Sequence, residues 1–429
     1  MLSVSTALAR LQDGLGESFP DLPGTRIIDV AFPLNDAFDP LLWCGQQAQW
    51  PQFYWQQRNG DEELATLGAV KTFFSLDAAN RFLRQVGRLD LRICGLNAFE
   101  PQQGSLALPR LEWRRCGGRA VLRLVLHSDI SLREDAATAR AFLASLTTTQ
   151  ATPGAIPPLL SERHSSDYPQ WQAMIARATK AISAGEMDKV VLARATDLQF
   201  AAPLDAVSIM AASRRSNLNC FHFLMAFNAR QAFFGSTPER LWRRRGALLR
   251  TEALAGTVAN HQEDAKAQQL ADWLMKDDKN QRENLLVVED ICQRLQSEAS
   301  TLDVLPPQVV RLRKVQHLRR CIWTELAAPD DSRCLLQLQP TAAVAGLPRR
   351  AALAFIQRHE PFSREWYAGS AGYLSLAQSE FCVALRSAKV NHDTLRLYAG
   401  AGIVSGSDAQ QEWQEIDNKA AGLRSLLCP

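Results

Sequence analysis

Apolar residues recur at helical spacing in three stretches of the chain, at residues 4–15, 171–182 and 273–295. A period near 3.6 residues places such positions on one face, so each stretch predicts an amphipathic helix. Gly185 follows the second stretch, and glycine commonly ends a helix because it readily adopts the left-handed conformation. The third stretch places four apolar residues on one stripe: Leu285, Val288, Cys292 and Leu295.

Other segments are rich in β-branched residues or alternate apolar and polar residues, and these predict strands. Residues 119–127 (RAVLRLVLH) and 189–196 (KVVLARAT) are of this kind. Two hairpins are also predicted, one with its turn at 228–230 and the other within 380–399. Hairpins mixed with helices, without regular strand–helix–strand alternation, indicate an α+β fold with antiparallel sheets.

The segment 146–161 (LTTTQATPGAIPPLLS) is rich in threonine and proline and is the best candidate for a linker. It divides the chain into residues 1–150 and 151–429. Prolines also interrupt the longest uncharged run, 141–161, so this run cannot span a membrane. The N-terminus has no signal-peptide pattern, and a cytoplasmic location is expected.

The composition of the 429-residue chain is that of an ordinary globular protein, with 46% hydrophobic residues, 22% charged residues and a formal net charge of +3. These values exclude disordered, collagen and coiled-coil classes, and they require neither a nucleic acid nor an anionic membrane as a partner. The cysteines lie too far apart for a CxxC or zinc-finger pattern. We expect reduced, mostly buried thiols at nine positions: Cys44, Cys94, Cys116, Cys220, Cys292, Cys321, Cys334, Cys382 and Cys428.

Lys189 is the first candidate for chemistry. In a strand it shares a face with Val191, Ala193 and Ala195. Burial on an apolar face disfavours the charged form of an amine, and a neutral amine can act as a general base or a nucleophile. The alternative is a lysine at a strand end whose ammonium group stays in water.

Glu239 is the second candidate. It lies in the turn sequence GSTPER at residues 235–240, which leads directly into the apolar pair at 241–242. An acid at the point where a turn enters a strand is well placed to serve an active site. The alternative is a solvated carboxylate paired with Arg240.

Acidic residues on two predicted helices form a third candidate. Glu283 lies in residues 279–288, and Glu412 and Glu415 are three residues apart, so they share one helical face. Mg²⁺ prefers one or two carboxylates together with waters and a ligand oxygen. The alternative is that both helices simply present these groups to solvent.

The glycine-rich segment 398–404 (YAGAGIV) follows a predicted strand. Its glycines permit close approach of the backbone, so that N–H groups could hold a carboxylate. A dinucleotide fingerprint needs a third glycine, a following helix and a later acidic residue. These are not in place, and we reject the Rossmann interpretation.

Two basic clusters, 240–245 (RLWRRR) and 311–320 (RLRKVQHLRR), raise the alternative of a nucleic-acid-binding protein. The net charge is small and no nucleic-acid-binding motif accompanies the clusters. We expect a solvated, salt-bridged surface at both. No GxSxG, HExxH or Walker motif is present.

Together these segments resemble the chorismate-utilising enzymes, the family of isochorismate synthases, salicylate synthases, anthranilate synthase large chains and aminodeoxychorismate synthases. The resemblance covers about residues 160–427 in ordered segments: KVVLARAT, GSTPERL, EALAGTVA, KNQRENLLVVEDI, VQHLRR, QPTAAVAGLP, REWYAGSAGY, CVALRSA, YAGAGIV and EWQEIDNKA. Residues 51–63 (PQFYWQQRNGDEE) extend it toward the N-terminus. The chain is most similar to the menaquinone-pathway isochorismate synthases of enteric bacteria.

The resemblance implies a role for each matching residue. Lys189 matches the base that activates water for attack at C2 of chorismate, and Glu239 matches the acid that protonates the leaving 4-hydroxyl. Glu283 and Glu415 match the ligands of a Mg²⁺ cofactor. Nine further positions match residues that line or hold the substrate: Gly256, Thr257, His317, Tyr367, Arg386, Gly400, Gly402, Glu412 and Lys419.

One position departs from the family pattern. Asn280 stands where many members carry a glutamate three residues before the first metal ligand. We therefore assign Glu283 alone from that helix. Whether Asn280 contributes to the outer sphere of the metal stays open.

The resemblance implies an α+β fold in which large antiparallel sheets pack as a β-sandwich-like core with helices on the outside. Residues 1–150 are then a scaffold within the same fold, and residues 151–429 form the catalytic region. The implied activity is a reversible isomerisation of chorismate to isochorismate by a monomer, with a dimer as the alternative. A salicylate synthase and, from another class, a basic nucleic-acid-binding protein are the alternative functions.

Overall fold

The computed structural model describes residues 3–34 and 37–427. Within these ranges the chain forms eleven helices and twenty strands. The helices are α1 (Val4–Gly14), α2 (Pro40–Gly45), α3 (Leu76–Val86), α4 (Leu132–Ala144), α5 (Tyr168–Ser183), α6 (Ala206–Ser216), α7 (Asp264–Lys276), α8 (Asp278–Leu295), α9 (Asp331–Leu338), α10 (Arg349–His359) and α11 (Ala409–Leu427).

The strands pair antiparallel in one continuous sheet. They are β1 (Gly24–Pro33), β2 (Gln52–Gln56), β3 (Glu63–Phe73), β4 (Ile93–Asn97), β5 (Gly104–Cys116), β6 (Arg119–Ser128), β7 (Leu159–His164), β8 (Lys189–Phe200), β9 (Phe221–Asn228), β10 (Gln231–Thr237), β11 (Arg240–Arg245), β12 (Leu248–Ala259), β13 (Ala299–Val304), β14 (Gln308–Arg311), β15 (Val315–Leu326), β16 (Gly346–Leu347), β17 (Ser370–Leu374), β18 (Gln378–Val383), β19 (Ser387–Asn391) and β20 (Thr394–Ile403).

The long strand β5 divides the sheet into two arms. One edge of β5 pairs with β3, while its other edge pairs with β4 near the start and with β6 near the end. The first arm continues from β3 through β2, β9, β10, β19 and β20 to β8. The second arm continues from β4 through β17, β18, β11 and β12 to β15.

The main hydrophobic core contains residues from both arms. Trp55 and Phe233 from the first arm belong to the same buried cluster as Trp242, Ala253 and Ile322 from the second. A second core packs α1, α2, α4 and α6 against β1, β6 and the outer face of the first arm. The predicted α+β fold, with a sandwich-like sheet core and helices outside, is confirmed.

Local sequence signals explain the ends of helix α5. The Asp167 side chain accepts a hydrogen bond from the Gln170 backbone, and the Gln170 side chain bonds back to Asp167, which forms a capping box. At the other end Gly185 takes a φ of +76°, a left-handed conformation that glycine adopts without strain. The predicted helix and its glycine stop are confirmed.

The long helix predicted over residues 273–295 is wrong. Asp277 has an extended backbone conformation and separates α7 from α8, and its side chain accepts a hydrogen bond from the Asn280 backbone N–H. The Asp side chain thus caps a new helix where the apolar period continues. Leu285 is 42% exposed. The buried face of α8 consists of Asn284, Val287, Val288, Asp290, Ile291 and Leu295.

The solvated surface expected for the basic cluster at 240–245 is also wrong. Arg244 is 3% exposed, and its guanidinium donates to both carboxylate oxygens of Asp331, at 3.0 and 2.6 Å. Arg240 donates to Glu380 at 2.8 Å. The cluster lies on an inner strand of the second arm, so Arg240 and Arg244 pair with buried carboxylates, whereas Arg245 at the strand end is exposed.

Strands from both sides of the Thr/Pro-rich segment pair with each other, β2 with β9 and β4 with β17. Between α4 and β7 residues 145–158 have no regular secondary structure. The boundary at residue 150 stays a prediction. No helix in the described ranges is long and apolar enough to cross a membrane.

The cysteines whose side chains are described are free thiols. Five of them are buried and two, Cys292 and Cys321, are partly buried. Cys428 lies outside the described residues, and the placement of the Cys116 side chain is likewise not described. The described cysteines therefore agree with the expectation of mostly buried thiols.

Candidate active site

The two arms enclose a narrow cleft with a cavity volume of about 70 Å³. It lies where β8, β20, β12 and β15 approach helices α8 and α11. Eleven of the thirteen predicted site residues line it: Glu239, Gly256, Thr257, Glu283, His317, Tyr367, Arg386, Gly400, Gly402, Glu415 and Lys419. The other two, Lys189 and Glu412, are buried beside it.

Lys189 is 1% exposed and begins strand β8, directly behind the wall of the cleft. Its Nζ atom lies 3.0 Å from Oε1 of Glu283. Burial raises the pKa of Glu283, but the Lys189 ammonium more than offsets this and holds the pKa below its usual value. The alternative of an ammonium group in water is wrong, because the Lys189 side chain is buried and pairs with the partly exposed Glu283.

Gly402 packs closely against both Lys189 and Glu283. A Cβ atom at this position would lie 3.1 Å from Cε of Lys189 and 3.2 Å from Oε1 of Glu283. At Gly400 a Cβ atom would lie 2.9 Å from the Tyr367 hydroxyl. Gly400 and Gly402, which were predicted to lie near the ligand, therefore leave room for the side chains that pack against β20.

Glu239 lies between the end of β10 and the start of β11 and is 2% exposed. Burial raises the pKa of this carboxyl to about 8, and the charge on Glu252 acts in the same direction. Its Oε1 atom has no hydrogen-bond partner among the described residues. The alternative of a solvated pair with Arg240 is wrong. Glu239 is thus a carboxylic acid that holds its proton at pH 7.

The His317 ring lies between the Thr257 hydroxyl and the Arg386 guanidinium. Its Nε2 atom lies 2.8 Å from Nη2 of Arg386, and its Nδ1 atom lies 3.0 Å from Oγ1 of Thr257. Burial, followed by the charges of Arg386 and Lys419, keeps the pKa of His317 well below its usual value. The ring is neutral. Since arginine only donates, Nε2 accepts and Nδ1 carries the proton.

A β-bulge in β12 brings Thr257 opposite His317. The register of β12 against β15 shifts between Leu254 and Thr257. Gly256, within the bulge, has a φ of +85°, which favours glycine. The predicted pair Gly256 and Thr257 therefore lines the cleft because of an irregularity in the strand.

Two cations and an aromatic wall complete the cleft. Lys419 donates to the Gly400 carbonyl oxygen at 3.0 Å and pairs with Oε1 of Glu415 at 2.6 Å. Tyr367 stacks on Tyr398 with ring centroids 5.1 Å apart and an interplanar angle of 8°. Arg386 and Lys419 therefore provide positive charge beside an apolar ring surface.

The acidic residues fit a hard divalent cation. Glu283 and Glu415 both line the cleft, one from α8 and the other from α11. Burial raises the pKa of nearby Glu412 to about 7, and the charge on Glu415 adds to this. In the described ranges no three His, Cys, Asp or Glu side chains form a ready metal site. Mg²⁺ takes only one or two protein carboxylates, and Glu283 and Glu415 in this cleft could provide them.

Asn280 has a role in shaping the cleft. Its side-chain oxygen accepts from the Thr257 backbone N–H at 2.9 Å, and its amide donates to Asp277 at 2.7 Å. This side chain therefore ties the bulge of β12 to the start of α8.

Sequence reasoning missed the apolar part of the lining and two buried charges behind it. The additional lining residues are Val191, Pro238, Leu254, Ala255, Ala343, Val344, Leu385, Tyr398 and Ala399. Several of them lie in the segments that carry the family resemblance. The charges are Arg58 and Glu252, which also lie in such segments, in PQFYWQQRNGDEE and EALAGTVA.

The chain is similar to known chorismate-binding enzymes over most of its length. The family model described as chorismate binding enzyme matches residues 97–428. Isochorismate synthase MenF of Escherichia coli (strain K12) is 66% identical over 428 residues, covering 100% of this chain and 99% of the relative. Isochorismate synthase MenF of Haemophilus influenzae is 39% identical, covering 91% of this chain and 90% of the relative.

A solved structure agrees with these similarities. The structure of MenF, the menaquinone-specific isochorismate synthase from Escherichia coli, matches this chain with a TM-score of 0.97 at 66% identity. The match covers 99% of this chain and 100% of that one.

The raised pKa of Glu239 predicts a pH-dependent cost to folding. Below the ordinary value of 4.5 the carboxyl is protonated in both states, and between 4.5 and about 8 only the unfolded chain releases the proton. Wild-type stability therefore falls as the pH rises through this window. We expect Glu239→Gln to be about 2–4 kcal/mol more stable than wild type at pH 8.5, and within about 1 kcal/mol of it at pH 5.

Denaturant unfolding of both proteins at the two pH values measures this difference. Leu285→Ala, at an exposed position on α8, serves as a control whose effect should not change with pH. A stability difference between Glu239→Gln and wild type that is the same at both pH values would show that Glu239 has an ordinary pKa.

Proposed function

This chain belongs to the family of chorismate-binding enzymes, and we propose that it is an isochorismate synthase that converts chorismate reversibly to isochorismate for menaquinone biosynthesis. The observation that carries the proposal is the pair of buried groups beside one cleft. Lys189 is a potential base and Glu239 is an acid that is protonated at neutral pH. The full-length similarity to the MenF relatives supports the choice of reaction.

Substrate binding follows from charge. Chorismate and isochorismate are dianions, so they need placed positive charge rather than a basic surface. Arg386 and Lys419 supply it, and neutral His317 orients the Arg386 guanidinium through the 2.8 Å contact. The ring of the substrate would lie against Tyr367, which is held in place by stacking on Tyr398.

Glu283 and Glu415 would hold Mg²⁺, which when bound supplies positive charge for the ring carboxylate of the substrate. Glu283 also pairs with Lys189. To act as the base, Lys189 must be a free amine, because only that form can take a proton from water. If the Glu283 carboxylate held Mg²⁺ instead, it would no longer pair with Lys189, and the lysine would be free to act as the base.

The chemical step moves a hydroxyl group within one ring. The oxygen of water forms a bond to C2 as Lys189 takes its proton, both ring double bonds shift, from C1–C2 and C5–C6 to C1–C6 and C4–C5, and the C4–O bond breaks. Hydroxide is a poor leaving group, so Glu239 donates its proton to the departing oxygen, which leaves as water. In the reverse reaction the two residues exchange roles. The overall change is an isomerisation, since one water enters and one leaves.

Product analysis tests the proposed function. We expect purified protein to convert chorismate to isochorismate with Mg²⁺ present, and to lose this activity with a chelator and regain it when Mg²⁺ is restored. Chromatographic separation of the products is the measurement. Unchanged chorismate would refute an isochorismate synthase, while salicylate together with pyruvate would identify the alternative, a salicylate synthase.

Replacement of the proposed base tests its role. Lys189→Ala should lower kcat by at least about 10²-fold, because general-base catalysis contributes roughly 10²–10⁴-fold to rate. Lys180→Ala removes an exposed lysine from α5 and should keep wild-type activity. Steady-state kinetics and circular dichroism compare the variants. Near-wild-type kcat in a folded Lys189→Ala protein would exclude Lys189 as the base.

A further inference from the structure

Both peptide groups that flank Glu239 are held by one buried ion pair. Nη1 of Arg58 donates to the carbonyl oxygen of Pro238 at 2.8 Å. The backbone N–H of Arg240 donates to Oε1 of Glu252 at 2.8 Å. Arg58 and Glu252 are themselves joined by two hydrogen bonds, of 2.6 and 2.8 Å.

We propose that Arg58 and Glu252 are positioning residues for Glu239, fixing its backbone from both sides and placing a negative charge beside its carboxyl that favours the protonated acid. This assignment rests on the proposed function, in which Glu239 donates a proton. Arg58 lies in the turn between β2 and β3, within the region that the sequence suggested to be a scaffold. Residues 1–150 would therefore contribute, through Arg58, to the position of Glu239.

The geometry of the pair makes it rigid. The side chain of Arg58 is 9% exposed and that of Glu252 is fully buried. The Arg58 guanidinium also lies over the ring of Phe221, 5.4 Å from its centroid. Bidentate contact between a guanidinium and a carboxylate fixes both distance and orientation. The peptide groups on either side of Glu239 are therefore tied to an inflexible support.

The charged groups around Glu239 have opposite effects on its pKa. Lys189, Arg386 and Lys419 face it from β8, the β18–β19 connection and α11, and each favours the ionised carboxylate. Glu252, on β12, favours the protonated acid. Burial raises the pKa of Glu252 itself, but Arg58 and Arg240 more than offset this and keep it below its usual value. Glu252 therefore stays charged while its neighbour stays neutral.

The pH profile of kcat/KM tests this proposal. In wild type the rate should fall as the pH rises through about 8, where Glu239 loses its proton. Glu252→Gln keeps an acceptor for the Arg240 N–H but removes the charge, and should move this alkaline limb down by about one pH unit. Glu252→Asp keeps the charge and should leave the limb near its wild-type position.

Asp331→Asn is the matched control. It removes the charge from an equally buried, doubly hydrogen-bonded pair with Arg244, on the same strand as Arg240. This variant should lose stability in thermal unfolding without moving the alkaline limb. The proposal fails if the alkaline limb of the kcat/KM profile stays at its wild-type pH in both Glu252→Gln and Asp331→Asn. It also fails if the two variants shift that limb equally, because Glu252 would then have no specific effect on Glu239.

Arg58→Gln tests the positioning half of the proposal. It removes the contact to the Pro238 carbonyl and leaves the Glu252 carboxylate without its main partner. We expect kcat to fall by at least about tenfold, because small displacements of a reacting group cost this much, and we expect KM to change little. Wild-type kcat in a folded Arg58→Gln protein would overturn the positioning role.

The outcomes separate this proposal from the proposed function. If wild type does not convert chorismate at all, the proposed function fails. If wild type is active and the profiles of Glu252→Gln and Arg58→Gln match it, only the positioning proposal fails.

Discussion

A charge buried inside a sheet must be neutralised by a partner, and this constraint connects the fold of this protein to its chemistry. Three such pairs are buried at both partners: Arg58 with Glu252, Arg244 with Asp331, and Arg364 with Glu360. Buried Lys189 pairs with Glu283, which is partly exposed. Glu239 is the exception. It is equally buried, and its Oε1 atom finds no partner among the described residues, so it is most stable with its proton.

The antiparallel sheet makes this arrangement possible because distant segments approach each other across the cleft. Lys189 comes from the first arm, Thr257 and His317 come from the second, and helix α11 supplies Lys419. A bulge in β12 and two glycines in β20 give the backbone the close approach that the cleft requires. The cleft thereby presents a few fixed cations, as the proposed dianionic substrate requires, and this agrees with a net charge of only +3.

Local features of the fold could be predicted from the sequence, whereas long-range ones could not. Helix α5 and the hairpin at 228–230 follow from periodicity and turn residues that lie close together in the chain. The break at Asp277 was missed because the apolar period continues across it, and only the capping contact with Asn280 decides the outcome. The burial of Arg244 was missed because its partner Asp331 is distant in sequence.

The same distinction applies to the site. Family resemblance identified residues that the structure brings together, but a resemblance assigns roles without giving protonation states. That Glu239 is neutral depends on burial and on Glu252. The contact that links Arg58 to the Glu239 backbone joins residues that are 180 positions apart in the sequence. A contact between residues so distant in sequence cannot be predicted from a motif or from residue spacing.

The origin of the new hydroxyl oxygen tests the proposed chemistry most directly. Chorismate can be converted in water enriched in ¹⁸O, and the product analysed by mass spectrometry. If water attacks C2 while Glu239 protonates the departing 4-hydroxyl, isochorismate will carry one solvent oxygen, at C2. Isochorismate without the label would contradict this account, because the hydroxyl would then have moved within the substrate without water activation by Lys189.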